Sequence, residues 1–231
     1  MVRKIKTLGL ALVAVFAMSA VVTSAASAAA GTLTTFPAGK TVVGTGEQIG
    51  EAAVTLTDHP IGTGFASIKC KKLVGDAVGT VTEGATTVTV TPTASECTAF
   101  GLPATVEHNE CTLVMHSGET TGNGGWQVIT TLACPAGKAV TLKTATCEVS
   151  ITSQELSTAE VANSGSASPE TAMDLLVNVN VSNAKYTVVK DGIGCPLTGT
   201  GSFSKGDAVG ALTVKGLDSV TKAAVGITLH D

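Results

Sequence analysis

Apolar and polar residues alternate with a period of two in segment after segment of this chain. The runs are "AAVTLT" (52–57), "TTVTVTPT" (86–93), "QVITTLA" (127–133), "AVTLK" (139–143), "LLVNVNVS" (175–182) and "GALTVKG" (210–216). That period sends one set of side chains to a buried face and the other to water. Valine and threonine, which supply most of these runs, are β-branched and suit a pleated surface. Turn-forming clusters such as "SGETTGNGG" (117–125) and "NSGSASPE" (163–170) separate them. The pattern predicts an all-β protein, an antiparallel sandwich or barrel of about a dozen short strands.

Helix has little support. Ser157 and Glu160 in "STAEVAN" have capping-box spacing, but one turn of pattern reads better as strand or irregular chain. The segment 163–170 is the one candidate for a break between subdomains, with cysteines on both sides of it. A single β domain over 29–231 is the expectation. "GDAVG" occurs at 75–79 and again at 206–210. The likeness does not extend into a repeat of fixed period, so the copies read as two similar turns.

The first residues change the setting. Arg3, Lys4 and Lys6 precede an apolar stretch from Leu8 to Val22 and then "TSAASAAAG", the three-part layout of a secretory signal peptide over 1–28. Fifteen apolar residues reach about 22 Å as a helix, short of a hydrocarbon core of roughly 30 Å, so membrane insertion after signal removal is not expected. Cleavage takes the 14 Lys and Arg down to 11 against 18 Asp and Glu, a net charge of −7. A mildly acidic chain without basic clusters gains nothing from phosphate counterion release, which argues against nucleic acid as partner. A secreted, extracellular product follows.

In that setting six cysteines, Cys70, Cys97, Cys111, Cys134, Cys147 and Cys195, read as three disulfides. Six cysteines allow fifteen connectivities. Spacing favours local clasps Cys97–Cys111 and Cys134–Cys147, leaving Cys70–Cys195 as a long link. "Glu-Cys-Thr" is written at both 96–98 and 110–112, as if marking the two ends of one clasped excursion. On the chain-entropy model a short clasp contributes about 3 kcal/mol and the long link nearer 5. Aromatic residues make up only 3% of the chain, so its core is lightly packed and crosslinks compensate. No C-x₂₋₄-C pair supports a structural zinc site instead.

Candidate chemistry is sparse, and no cofactor is implied. His108 and Glu110 have the H-x-E order of zinc deaminases, but Cys134-Pro135-Ala136-Gly137 is not the P-C-x-x-C those enzymes need. His116 would lie roughly 26 Å from His108 along an extended strand, too far to share an ion. No serine stands in G-x-S-x-G, and pairing six cysteines leaves no thiol nucleophile. Asp58 and His59, being adjacent, point to opposite faces of a strand. Asn180 begins an N-glycosylation sequon, to which little weight is given. Trp126, after a glycine-rich loop, is the one candidate ligand contact, as a stacking platform; the competing reading is a core residue.

The stretches "VTVTPTASECTAFGLPATVEHNECTLVM", "LACPAGKAVTLKTATCEVSI", "VNVNVSNAKYTVV" and "IGCPLTGTGSF" resemble a recurrent type of secreted actinobacterial protein without an assigned function. The likeness spans roughly 65–215 and rests on Cys97-Thr98-Ala99-Phe100-Gly101 and on Cys111, Cys134, Cys147 and Cys195. It implies a bacterial, exported, β-rich protein and carries no catalytic residues. Together these readings predict a non-enzymatic structural or surface-interaction protein of the cell envelope or exterior, its partners envelope polymer or other surface proteins. The alternatives are a glycan-binding module using Trp126 and a hydrolase whose site is assembled only by folding.

Overall fold

A computed structural model describes residues 32–36, 38–39, 41–56, 66–78, 80–121, 125–164, 174–195, 197 and 199–230. The expected signal peptide, Asp58-His59 and most of 163–170 lie outside these residues. Thirteen strands are described: β1 (Thr32–Phe36), β2 (Val42–Leu56), β3 (Ala66–Ala77), β4 (Thr87–Ala99), β5 (Leu102–Glu107), β6 (Thr112–Thr120), β7 (Trp126–Ala133), β8 (Val140–Lys143), β9 (Cys147–Ile151), β10 (Gln154–Ser164), β11 (Asp174–Asp191), β12 (Gly201–Asp218) and β13 (Ala224–His230). Each period-two run falls in one of them but for a single end residue at Thr57, which lies outside the described residues, at Thr86 and at Ala139. The fold is all-β, and it is a barrel.

Five long strands, in the order β11-β12-β2-β3-β4, form a common wall. At one end, here called upper, β6, β7 and β10 join β4 back to β11 and close an eight-stranded barrel. At the lower end β5, β8 and β9 bridge the same two strands. All pairings are antiparallel. Closure matters because it leaves the barrel no unpaired edge.

The wall strands are longer than alternation predicts: 15, 12 and 13 residues for β2, β3 and β4, and 18 each for β11 and β12. In β2, β4, β11 and β12 the visible run is one part of a longer strand that continues through glycine and polar residues. Neighbours hydrogen-bond those segments from both sides, and irregularities of register absorb the mismatch between Glu47 and Ala52, between Val209 and Ala211, and between Val181 and Ala184. The two "GDAVG" copies are such segments. Gly75 to Ala77 end β3 and 206–210 lie inside β12, so they are strands and not turns.

All six cysteines are paired, in the order Cys70–Cys97, Cys111–Cys134 and Cys147–Cys195. This corrects the clasps expected from spacing. Cys70 stands directly opposite Cys97 in the β3–β4 ladder, and Cys111 and Cys134 continue the β6–β7 ladder one step beyond Thr112 and Ala133. Cys97 and Cys111 are divided by β5, and antiparallel register, not distance along the chain, brings sulfurs together. The repeated Glu-Cys-Thr marks something else. Glu96 and Glu110 both hold positive φ, 53° and 65°, each just before a buried half-cystine.

Two cores follow the two ends. The upper one gathers Val42, Trp126, Val128, Val161, Leu175 and Val177 with Leu33, Val225, Ile227 and Leu229. The lower one packs Ile68, Leu142, Val149, Val188 and Leu197 around the Cys147–Cys195 bridge, with Tyr186 stacked on Phe203 at 5.4 Å.

Candidate functional site

Eight strands make a barrel whose interior is either filled by side chains or left able to hold one small ligand. Here the inward positions are unequal. Val128 and Thr130 of β7, Leu175, Val177, Val179 and Val181 of β11, and Leu212 and Val214 of β12 point inward, as do Val88 and Val90 of β4 and Leu113 and Met115 of β6. Leu156 and Ala159 of β10 both face in although three residues apart, because a register shift lies between them. Opposite them β2 and β3 present Gly44, Gly46, Gly75 and Ala77. The interior is therefore not filled.

A cavity of about 180 Å³ remains. Among the described residues, a β-carbon added at Gly75 would meet no atom within 4 Å, and at Gly44 and Gly46 only ordinary contacts of 3.4 Å and longer. Glycine at these strand positions is thus a matter of space, not of backbone conformation. Among the described residues no charged side chain lines the cavity, and its polar side chains are Thr86, Ser117 and Thr130.

A second chamber of about 170 Å³ lies beyond Leu113, Leu156 and Val181, which border both. Pro92, Leu132, Val140, Ile151, Ala184, Tyr186, Gly206 and Ala208 surround it, with His108 and Asp207. The "GDAVG" copies therefore do the same job twice: Gly75 and Ala77 face the first chamber, Gly206 and Ala208 the second. His108 Nε2 accepts the Ala94 N–H at 3.3 Å, which leaves the ring proton on Nδ1, buried and without a partner among the described residues. Burial holds the imidazole pKa below its usual value, so the ring is neutral at pH 7. Asp207 turns its Oδ1 to accept the Asn183 N–H at 3.2 Å.

A two-stranded ribbon lies over the upper end. β13 pairs with β12 only at Gly216–Val225 and Leu217–Ala224, then leaves it and pairs along its length with β1. The Asn163 side chain on β10 grips it like a strand edge, donating to Leu229 O at 3.0 Å and accepting from Leu229 N at 2.9 Å. On the β1 side Leu33 N donates to Ala85 O and Gly84 N to Leu33 O, at 3.1 and 2.8 Å. Leu33, Ile227 and Leu229 complete the cavity lining at this end.

The residues singled out by sequence fare differently. Trp126 is only 7% exposed and packs in the upper core beside Val128 and Val161. Of the two readings of this residue the burial favours the core one, since a stacking platform needs an open ring face and β7 turns this ring inward with Val128 and Leu132. His108 and His116 are not brought together. The first reaches Ala94 and the second Thr87 Oγ1, at 2.9 Å, and these are seven residues apart on β4, roughly 23 Å. Among the described residues no three His, Cys, Asp or Glu gather to hold a metal ion.

Sequence reasoning missed the inward glycines and alanines. The available signal was glycine or alanine at i and i+2 in "VGTG", "GDA" and "GDA" again. Compared with known proteins, the chain matches no family model, no curated protein sequence and no solved structure.

Proposed function

We propose that this is an exported, non-enzymatic protein that binds a small apolar molecule inside its barrel. The observation that carries this reading is the cavity of about 180 Å³, bounded by a full ring of strands and lined by carbon. A void of this size costs stability wherever it serves nothing, at about 24 cal/mol per Å³ in core-truncation series. Substituting Gly75 alone would fill part of it without a clash. Export is supported by the leader sequence and by three disulfides, which persist in oxidising compartments. The glycan reading loses its platform with Trp126 inside. A hydrolase site would need a His and a carboxylate free to act together, and His108 and Asp207 at the second chamber are turned to backbone N–H groups instead.

The test is ¹⁹F NMR of fluorobenzene added to the oxidised protein. Saturable broadening or a shifted bound signal, lost in Gly75→Leu, is expected. A spectrum unchanged by the wild-type protein would refute interior binding.

A further inference from the structure

We infer that the ligand is an uncharged hydrocarbon without a polar head group, of about seven or eight carbons, an alkylbenzene or a compact cyclic or branched alkyl compound. This rests on the interior-binding reading above and narrows it. The size follows from scale: an apolar cavity of about 150 Å³ takes up benzene, and this one is about 180 Å³.

The chemistry follows from what the 27 described lining residues lack. None of them is Lys, Arg, His, Asp or Glu, so a carboxylate, phosphate or ammonium group would meet no countercharge from them. Ser117 already donates its hydroxyl to Thr86 O at 3.2 Å, which leaves few polar groups to meet a ligand oxygen. A buried polar group without a hydrogen bond is strongly disfavoured, and an unpaired charge far more so. An amphiphile could evade this by leaving its head outside. At the upper end, however, Leu33, Ile227 and Leu229 of the ribbon are themselves lining, so a head group there meets side-chain carbon. The second chamber does not rescue a polar ligand. His108 Nδ1 is shielded even from water, so its proton is not presented to a guest.

The experiment compares 4-fluorotoluene, 4-fluorophenol and 4-fluorobenzoate, near-identical in shape, by ¹⁹F NMR titration at pH 7 with the wild-type protein and with Gly75→Ala and Gly75→Leu. The dissociation constant should rise at least tenfold from the toluene to the phenol and at least a hundredfold to the benzoate. Gly75→Ala should weaken the toluene and Gly75→Leu abolish its binding. Phenol or benzoate binding as tightly as the toluene, with that binding lost in Gly75→Leu, would overturn the head-group inference and leave interior binding standing. Toluene binding unaffected by both substitutions, or absent from the wild type, would overturn both. Gly75→Ala, a single methyl in open space, keeps the comparison meaningful if Gly75→Leu does not fold.

Discussion

Replacing Cys147 and Cys195 together by alanine should remove about 4 kcal/mol of stability. The bridge closes a loop of 48 residues, for which the chain-entropy model gives about 4.1 kcal/mol; the 27- and 23-residue loops of the other two give about 3.5 and 3.4. The three loops follow one another along the chain without overlapping, so closing one does not shorten another. Together they come to about 11 kcal/mol, the size of a whole domain's net stability of roughly 5–15 kcal/mol. Cys147 and Cys195 are also buried, 1% and 7% exposed, in the lower core, so losing their sulfur atoms adds to the loss. Urea titration followed by the fluorescence of Trp126, the chain's one tryptophan, measures the effect. With m about 2 kcal/mol/M, the midpoint should fall by about 2 M. The slope m should rise as the unfolded chain is released from its loop. A midpoint shift below about 0.5 M would refute the argument that these bridges compensate for a lightly packed interior.

Two further outcomes follow from single side chains. His108 has its pKa depressed by burial, so as pH falls below about 6.5 the unfolded chain takes the proton before the folded one does. Its contribution to stability is complete above that pH and is lost as pH drops through the folded-state value. His108→Gln, which keeps an acceptor for the Ala94 N–H, should flatten the wild-type decline in urea midpoint between pH 7 and 5; identical profiles would refute this. Gly216→Ala should part the ribbon from the barrel, because its β-carbon would stand 2.6 Å from Ile227 Cγ2 and 2.7 Å from the Val225 carbonyl oxygen. A cost of about 1–3 kcal/mol and faster amide exchange at Ile227 and Leu229 are expected, and wild-type exchange at those amides would contradict it.

Strand identity was local information. In "QVITTLA" or "LLVNVNVS" the side-chain period is a property of the backbone itself, and both segments are strands. That the cysteines would be bridged was local too: an even set of six reads as three disulfides before any fold is known. Pairing was not local. Cys97 and Cys111 look like partners along the chain, yet the ladders set Cys70 against Cys97 and carry Cys111 to Cys134, because register depends on which strands lie side by side. The cavity was hidden for the same reason. "GDAVG" resembles a turn when only its own residues are considered, since glycine offers no side chain to betray its environment. Only closure of the ring puts Gly44, Gly46, Gly75 and Ala77 across from Val128, Leu175 and Val177 and shows that the space between them is left open. A strand's sequence determines which of its residues share a face. What that face looks onto is decided by strands distant in the chain, and here that is the difference between a packed core and an open cavity.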